Sequence, residues 1–358
     1  MTPARENLFP YAVSPLTWPL ALTYAMGTNL KNAAYDYGWL KPRSLSSPVI
    51  SVGNLSVGGT GKTPLVLLLA DKLTQRGWTI DVLSRGYGRD SQEIARVDPL
   101  GMPEKFGDEP LLLARHGLSV YVGPDRYRPG KLAERNVSVC SSSSRHLHIL
   151  DDGFQHRKLA RSADIVVVHR ADMSSHLLPA GRLREPLRAL RRADICVLRA
   201  EDAELTDRIL DLMSHPDRKP DPARVWIVQR RTTLPEPADS IKKTLAFCAL
   251  GDPNGFFDGA RRAGVDVRET VAFRDHHAYT LKDVQALRAA ARHCGAQSFL
   301  TTEKDSVRLT GTLRNELEKE GHLIVAGLEI SLQHAARCID SLEALLGERL
   351  QLRPRDVR

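Results

Sequence analysis

The chain has 358 residues, of which 42% are hydrophobic, enough apolar material for two α/β domains, so disorder over most of its length is excluded. Its formal net charge of +8 at pH 7 predicts an anionic partner: a nucleic acid, a membrane surface or a phosphorylated substrate. Five cysteines form an odd number without paired spacing, which is typical of a protein in a reducing cytosol and indicates neither a disulfide framework nor a zinc site.

Residues 1–43 are expected to form an N-terminal, membrane-associating helical region. Residues 7–30 carry no charged side chain and are long enough to span a bilayer, but three prolines and several polar residues interrupt the run. No basic segment precedes a small-residue cleavage site, which argues against a signal peptide. Aromatic residues followed by Lys41 and Arg43 suit the headgroup region of a membrane, while a helix packed on the next domain is the alternative. The two are compatible, because one face can pack while the other touches lipid.

The stretch from Pro48 to Thr63 has the pattern of a buried strand, a glycine-rich loop and the start of a helix. Its glycines allow a tight turn that directs successive backbone N–H groups at one point, which suits phosphate oxygens. Lys62 can place a cation between the β- and γ-phosphates, and the hydroxyl of Thr63 can bind Mg²⁺. Ser56 replaces the first glycine of the pattern G-x-x-x-x-G-K-[ST]. The context favours a nucleoside triphosphate site over a plain turn. The predicted ATP-binding residues are Ser56, Val57, Gly58, Gly59, Thr60, Gly61, Lys62 and Thr63.

Short β-branched strands alternate with helices along the rest of the chain, which is typical of a doubly wound, mostly parallel sheet. A polar, proline-bearing stretch at 214–222 has the composition of a linker, and the alternation resumes after it. The sequence therefore predicts an α/β protein with a P-loop NTPase-like domain at 44–223 and a second, smaller α/β domain at 224–358. The expected strands lie at 79–84, 118–122, 146–152, 165–168, 195–198, 225–228, 245–250, 299–301 and 323–325.

Asp151 and Asp152 follow an apolar strand, as in a Walker B segment. An aspartate at such a strand end can bind a metal ion directly or through water. The alternative is a turn at the strand end, because Asp-Gly is common in turns. The P-loop upstream favours the metal role.

Two further polar segments allow more than one interpretation. The aspartate of Gly-Asp-Glu-Pro at 107–110 precedes a proline-started helix and, by itself, is typical of an N-cap. Asp-His-His at 275–277 is compatible with a metal pair or an acid–base unit, although such a pair is more often a polar surface turn.

Taken together, these segments resemble the tetraacyldisaccharide 4′-kinase family of lipid A biosynthesis. The resemblance runs from about residue 10 to about residue 330 in the family's order, and it accounts for Ser56, since the family often has a non-glycine residue there. The matching segments are 51–64, Ser-Arg-Gly-Tyr-Gly at 84–88, Gly-Asp-Glu-Pro at 107–110, Asp-Asp-Gly-Phe-Gln-His at 151–156, Pro-Ala-Gly-Arg-Leu-Arg-Glu-Pro at 179–186, Phe-Arg-Asp-His-His-Ala-Tyr at 273–279 and Thr-Thr-Glu-Lys-Asp at 301–305.

The resemblance implies a peripheral or monotopic enzyme at the cytoplasmic face of a Gram-negative inner membrane. It would transfer the γ-phosphoryl group of ATP to the 4′-hydroxyl of a tetraacyldisaccharide 1-phosphate, giving lipid IVA, with ATP and Mg²⁺ as cofactors. An anionic lipid substrate agrees with the basic charge and the aromatic N-terminus. Neither nucleic acid nor an obligate protein partner is expected.

By the family's pattern, Asp108 would be the base for the sugar hydroxyl, with His276 orienting it or sharing its proton. Lys62, Thr63, Mg²⁺ and Asp151 would supply charge neutralisation, and Arg184 and Glu185 would lie near the transferred phosphate and the metal. Family structures have two α/β domains with the site in the cleft, which would explain why His276 lies beyond the linker. The implied metal-binding residues are Thr63, Glu109, Asp151, Asp152 and Glu185.

Three other functional classes of protein have less support in the sequence. Switch ATPases of the partition or nitrogenase-iron type carry a signature lysine five residues before the P-loop lysine, and here that position is Val57. A lipid-binding protein that had lost catalysis would not be expected to retain Asp108, Asp151, Asp152 and His276 together. Nucleic-acid binding has only the charge in its favour, without an aromatic–basic reading motif.

Overall fold

The structure is a computed structural model that describes residues 17–59, 61–140, 145–215, 221–241 and 243–351. Residues 1–16, Thr60 of the glycine-rich loop and residues 216–220 of the expected linker lie outside these ranges, so what the sequence predicts for them stays a prediction.

Strands and helices alternate along the chain, as expected. The strands are β1 (Val49–Asn54), β2 (Trp78–Ser84), β3 (Ala95–Arg96), β4 (Ser119–Val122), β5 (Arg145–Asp151), β6 (Ala163–Val167), β7 (Ile195–Arg199), β8 (Val225–Thr233), β9 (Thr244–Cys248), β10 (Val267–Ala272), β11 (Ser298–Thr302) and β12 (His322–Leu332). The helices are α1 (Thr17–Asp36), α2 (Lys62–Gln75), α3 (Pro103–Phe106), α4 (Asp108–Arg115), α5 (Tyr127–Cys140), α6 (Thr206–Met213), α7 (Pro253–Arg262), α8 (Leu281–Cys294), α9 (Glu303–Ser306), α10 (Gly311–Glu318) and α11 (Ala335–Gln351).

All of these strands belong to one sheet with the order β10-β9-β11-β12-β8-β7-β6-β1-β5-β2-β4-β3. Neighbouring strands are parallel except for β12 against β8 and β3 against β4. Helices cover both faces, because alternate residues of a strand point to opposite sides. In β2, Ile80 and Val82 join the core that includes α2 and α4, whereas Leu83 joins a second core beside α5. The predicted doubly wound, mostly parallel α/β fold is confirmed.

The sheet continues across the expected domain boundary after residue 223. β8 pairs in parallel with β7, and Trp226 of β8 lies in the same core as α2. The last helix, α11, also packs into this core through Leu342 and Leu346. The two-domain division at residue 223 therefore stays a prediction, with β8 and α11 joining the first half to the rest.

Helix α1 lies along the body of the protein. The hydroxyl of Tyr24 donates a hydrogen bond to the carbonyl oxygen of Arg184 over 3.0 Å, and Nζ of Lys31 donates to the carbonyl oxygen of Gln155 over 3.0 Å. Its opposite side leaves large apolar side chains exposed, among them Met26 at 71%. None of the helices in the described ranges is long and apolar enough to cross a bilayer.

Strand β1 lies between β6 and β5, so the carboxyl ends of these three parallel strands meet at one edge of the sheet. Ligand sites of doubly wound folds lie at such an edge. The loop after β1 and the aspartates at the end of β5 are therefore brought together by the strand order.

Candidate active site

The glycine-rich loop joins β1 to α2, as the sequence predicts. Gly58 and Gly61 have φ angles of 108° and 82°, in the left-handed region that glycine adopts without steric cost, and Gly61 is the N-cap of α2. Val57 donates its backbone N–H to the carbonyl oxygen of Arg182 over 2.9 Å, which ties the loop to the segment before Arg184. The N-terminal end of α2, with Lys62 and Thr63 in its first turn, faces this loop. This arrangement suits a bound phosphate.

Lys62 lies between two acceptors. Its Nζ is 3.2 Å from Oδ1 of Asn54 and 3.3 Å from Oδ1 of Asp152. The other carboxylate oxygen of Asp152 accepts a hydrogen bond from Arg184 over 2.8 Å. Burial would raise the pKa of Asp152, but the positive charges of Lys62 and Arg184 outweigh it and hold the pKa at about 2. Three predicted site residues thus form one ionised cluster.

Asp151 has a different environment from that of its neighbour. Its Oδ2 accepts a hydrogen bond from the hydroxyl of Ser84 over 3.2 Å, while its buried Oδ1 has no hydrogen-bond partner within the described ranges. Burial, followed by the negative charges of Glu109 and Asp152, raises the pKa of Asp151 to about 7. A cation bound beside Asp151 would offset the neighbouring negative charges and stabilise its carboxylate.

Glu109 completes the acidic group. It accepts a hydrogen bond from Nζ of Lys304 over 3.2 Å. Burial would raise the pKa of Glu109, but Lys304 and then Lys62 lower it. Carboxylate and hydroxyl oxygens are the ligands that Mg²⁺ prefers, so Asp151, Asp152, Glu109 and Thr63 have the chemistry of magnesium ligands, while the three carboxylates do not converge within 4.8 Å of one another in this structure. The unpartnered oxygen of Asp151 is the observation that supports this fit.

Glu185, also predicted as a metal ligand, is nearly fully buried and bound elsewhere. It accepts hydrogen bonds from Arg192 over 2.9 Å and from Asn32 of α1 over 2.7 Å. Its neighbour Arg184 provides the link to Asp152. Glu185 thus connects α1 to the chain beside the ionised cluster, and its part in metal binding stays a prediction.

Asp108 and His276, which are far apart in the sequence, face each other. The Nδ1 atom of His276 lies 3.6 Å from Oδ2 of Asp108, and Arg308 contacts both: its Nε donates to Asp108 over 2.7 Å, and its Nη2 lies 3.0 Å from His276 Nδ1. Burial would raise the pKa of Asp108, but hydrogen bonds from His276 and Arg308 outweigh it and lower the pKa. Asp108 is the first residue of α4, and Gly107 is the N-cap, so the carboxylate does not serve as the cap.

Two cations of this region had no role assigned from the sequence. Lys304 contacts His276 Nε2 at 3.3 Å as well as Glu109, and Arg308 binds Asp108. They are four residues apart, at helical spacing just after β11, which places them on one side of the chain. This four-residue spacing of Lys304, within the segment 301–305, and Arg308, just after it, is the sequence pattern from which their shared position could have been predicted.

Arg308 is held by the buried Asp305. The Oδ1 atom of Asp305 is 3.7 Å from Nη1 of Arg308, and it accepts hydrogen bonds from the hydroxyl of Tyr279 over 3.0 Å and the backbone N–H of Ala249 over 3.1 Å. A charged side chain held at both ends is poorly able to move, so Asp305 orients Arg308 toward Asp108.

The loop after β9 approaches the P-loop closely. A Cβ atom added to Gly251 would lie 2.8 Å from the backbone nitrogen of Gly59, a separation that only glycine permits. The second half of the chain therefore covers the P-loop with backbone from this loop and faces Asp108 with His276. A P-loop together with a cluster of Asp108, His276 and Arg308 is the arrangement of a phosphotransferase of the P-loop class.

Comparison with known proteins specifies the class. The family model described as LpxK, tetraacyldisaccharide-1-P 4′-kinase, matches residues 13–347. The tetraacyldisaccharide 4′-kinase of Koribacter versatilis is 41% identical over 339 residues, which are 92% of this chain and 99% of that protein. The enzyme of the same name from Aquifex aeolicus is 37% identical over 302 residues, 82% of this chain and 89% of that protein.

A solved structure agrees. The crystal structure of the "apo" form of LpxK from Aquifex aeolicus in complex with ATP superposes with a TM-score of 0.70 at 32% identity, covering 92% of this chain and 98% of that one. The chain belongs to the tetraacyldisaccharide-1-P 4′-kinase family.

Proposed function

We propose that this protein transfers the γ-phosphoryl group of ATP to the 4′-hydroxyl of a tetraacyldisaccharide 1-phosphate, producing lipid IVA for lipid A biosynthesis. Membership of the family supports the reaction, since the relatives carry the name of this kinase. The structural observation that carries the proposal is the contact of Asp108 with both His276 and Arg308 from the second half of the chain. Glu109, next to Asp108, has its pKa lowered by Lys304 and then by Lys62 of the P-loop, which relates this cluster to the P-loop.

ATP is proposed to bind with its phosphates in the loop formed by residues 56–63. The backbone N–H groups and the N-terminal end of α2 would bind the phosphate oxygens. Lys62, which contacts Asp152 at 3.3 Å, would turn to the β- and γ-phosphates, and Arg184 would remain to neutralise Asp152. The crystal structure of the Aquifex aeolicus relative, which is in complex with ATP, supports ATP as the nucleotide.

We assign magnesium binding to Thr63, Glu109, Asp151 and Asp152, and Glu185 would join them only on leaving Arg192 and Asn32. Their oxygen atoms match the ligand preference of the ion, and Asp151 carries a buried carboxylate oxygen without a hydrogen-bond partner among the described residues. The ion, when bound, neutralises charge on the phosphates during transfer.

Asp108 is the proposed base. Its carboxylate would take the proton as the O–H bond of the 4′-hydroxyl breaks and the hydroxyl oxygen forms its bond to the γ-phosphorus. The bond between the γ-phosphorus and the β,γ-bridging oxygen breaks at the same time, and that oxygen leaves as part of ADP. His276 Nδ1, 3.6 Å from Asp108 Oδ2, orients this carboxylate, and Arg308 keeps it ionised. A carboxylate held ionised is ready to accept a proton, although a low pKa makes it a weaker base, so correct placement must supply most of its effect.

The acylated acceptor has to be reached at a membrane surface, and α1 is suited to that contact. Its exposed side presents Leu22, Met26 and Leu30, while its inner side binds Arg184 and Glu185 beside the cleft. We therefore propose that α1 lies in the interface of the cytoplasmic leaflet of the inner membrane, where anionic lipid would attract the basic chain. The same helix would bring the cleft next to the embedded sugar.

Transfer of radiolabelled γ-phosphate from ATP to tetraacyldisaccharide 1-phosphate in mixed micelles tests the proposal. We expect a labelled lipid product that requires both Mg²⁺ and the lipid acceptor. The matched control is the same lipid without its 4′-hydroxyl, which should remain unlabelled. Release of labelled inorganic phosphate without any labelled lipid would instead indicate an ATPase and would contradict the proposal.

A further inference from the structure

A cluster of polar side chains lies within the sheet, away from the proposed active site. It consists of Asp81 on β2 with His146 and His148 on β5, and one ligand atom from each lies within 4.8 Å of the others. β5 also carries Asp151 at its carboxyl end, about 10 Å from His148 at roughly 3.3 Å per residue. The cluster is therefore separate from the residues proposed to bind magnesium.

Strand register explains why these three side chains meet. Asp81 is directly paired with His148 across the parallel strands β2 and β5, and His146 precedes His148 by two residues. Residues two apart on a strand share a face, so all three project from the same side of the sheet. This is the side that α5 covers, where Leu83 and Leu150 also pack.

His148 is buried although the described residues provide no hydrogen bond to its ring. It is 0% exposed, and neither of its ring nitrogens has a hydrogen-bond partner in the described part of the chain. The nearest carboxylate is that of Glu134 on α5, whose Oε1 is 3.8 Å from Nε2. A buried imidazole without partners costs free energy, on the order of 1–3 kcal/mol for the unsatisfied group. Either ring nitrogen of a neutral imidazole can offer its lone pair to a metal ion.

His146 has the surroundings of a metal-binding histidine. Its Nδ1 lies 2.8 Å from the hydroxyl of Ser47, and its Nε2 lies 2.6 Å from Oδ2 of Asp81. The 2.6 Å contact with Asp81 requires a proton on Nε2, and once a metal ion displaces that proton, Ser47 can accept a hydrogen bond from Nδ1–H while Nε2 offers its lone pair to the ion. Partners of this kind fix the tautomer and the orientation of histidines that bind metals.

We propose that Asp81, His146 and His148 form a binding site for a divalent transition metal ion, with Zn²⁺ the best match, and that Glu134, which also accepts hydrogen bonds from Ser47 and Lys131, is the fourth ligand. Two ligand atoms bound to a tetrahedral zinc ion are separated by roughly 3.4 Å, given bond lengths of about 2.0–2.2 Å. The separations of 2.6 Å and 3.8 Å lie on either side of that value, and the ligand atoms of Asp81, His146 and His148 lie within 4.8 Å of one another, so side-chain rotations would have to adjust them on binding. Imidazole nitrogen and carboxylate oxygen together favour Zn²⁺ over Mg²⁺.

The proposed site uses no cysteine, which is why the cysteine count gave no indication of zinc. All its ligands come from strands and a helix and are largely buried, so the ion would have a structural role, joining β2, β5 and α5. Binding would displace the proton of His146 Nε2 that the 2.6 Å contact with Asp81 requires.

The test is zinc retention by the full-length chain. Protein stripped with a chelator is equilibrated with a small excess of Zn²⁺ in the presence of millimolar Mg²⁺, which occupies the carboxylates near the P-loop, and bound zinc is measured after gel filtration. We expect the parent protein to retain about one equivalent more than His148→Asn or His146→Asn. His293→Asn, an exposed histidine on α8, is the matched control and should retain as much zinc as the parent.

Two further readouts do not depend on activity. Co²⁺ in the parent protein should give the intense visible bands of a tetrahedral site, and these bands should be lost in both variants. The thermal midpoint should rise with Zn²⁺ for the parent and for His293→Asn only, because a ligand of the folded state stabilises it. If His148→Asn does not fold, the less buried His146→Asn decides the outcome. Equal zinc retention by the parent protein and His146→Asn would mean that Ser47, His146 and Asp81 form only a hydrogen-bonded network, and the proposal would be wrong.

Discussion

The Nε atom of Arg308 donates a hydrogen bond to Oδ2 of Asp108 over 2.7 Å, joining two residues that are 200 positions apart in the sequence. Both side chains are largely buried, and Asp305 holds the other end of the guanidinium. The proposed base is therefore ionised and fixed in direction. An acceptor hydroxyl has to approach it beside an arginine that also contacts His276.

Replacing Arg308 with glutamine should change the pH dependence of the kinase. Hydrogen bonds from His276 and Arg308 lower the pKa of Asp108, so removing Arg308 allows that pKa to rise. The base is then protonated at a higher pH, and the acidic limb of kcat/KM should move to higher pH. A pH–rate profile measures the shift, with Arg314→Gln as the control, since Arg314 pairs with Glu318 on α10. An unmoved acidic limb would show that Asp108 is not the group that titrates.

A double-mutant cycle on Asp108 and His276 tests whether they act as a unit. Asp108→Ala should lower kcat by about 10²–10⁴-fold while leaving ATP binding intact, because residues 56–63 are the proposed nucleotide site. His276→Ala should lower kcat less, and the double variant should be little worse than Asp108→Ala alone. Melting temperatures recorded beside each kcat separate catalysis from folding. Rate losses that simply add, or a loss of about 1 kcal/mol in stability without a loss in rate, would contradict the pairing.

Lys62→Ala should reduce phosphoryl transfer by about 10²-fold or more, the scale expected when a cation that stabilises the transition state is lost. The variant also leaves Asp152 with Arg184 as its remaining ion-pair partner, so stability should be checked by thermal unfolding. The control is Lys72→Ala, which removes a more exposed lysine from the same helix. Turnover close to that of the parent would be incompatible with the assigned role of the P-loop.

Exposed apolar residues of α1 should determine binding to vesicles. Leu22, Met26 and Leu30 are spaced four residues apart, so they form one exposed stripe along the helix. Replacing all three with serine should weaken binding to vesicles containing anionic lipid by about tenfold or more, equivalent to about 1.4 kcal/mol. Point variants are preferable to deletion of residues 1–30, which would also remove the contact between Tyr24 and Arg184.

Co-sedimentation with vesicles measures this effect, and circular dichroism reports whether the variant is folded. Leu100→Ser is the matched control, because Leu100 is 92% exposed and lies outside α1. Unchanged binding by the folded triple variant would mean that α1 has only a structural role.

Stability should fall as the pH drops below about 6.5 because of His156. Burial, followed by the charge of Arg126, lowers the pKa of His156 to about 3. A depressed pKa means that the unfolded chain binds the proton first, so the contribution is fully present above the unfolded pKa and is lost progressively as pH falls toward 3. The slope from this one group is at most about 1.4 kcal/mol per pH unit.

Urea unfolding at pH 7, 6 and 5 measures this slope. His156→Gln should show a flatter pH dependence of the free energy of unfolding than the parent protein, and the difference between the two isolates this histidine from the carboxylates. His322→Gln, at an exposed position, is the control. Parallel curves for the parent protein and His156→Gln would show that the ring is not buried as a neutral group.

The sequence alone determined the features that depend on neighbouring residues. The strand, loop and helix of the P-loop are contiguous, and their glycines, Lys62 and Thr63 adopt the expected order in β1, the loop and α2. Most strand positions were also predictable, because β-branched runs bounded by turn residues are local: the strand expected at 195–198 is observed at Ile195–Arg199, whereas β3 and β10 were not predicted. The family followed from the order of short segments, and the family model confirmed it.

Only the tertiary structure decided which distant residues meet. The pairing of β8 with β7 continues the sheet past the expected domain boundary, and no local pattern encodes that pairing. Arg308 reaches Asp108 because it lies just after α9, which follows β11 and packs against α4. Asp81 meets His148 because β2 and β5 are neighbouring strands in which these two residues are paired. Periodicity and motif spacing describe a residue's place within its own element. The distance between two elements is set by strand order and packing, which involve the whole chain at once.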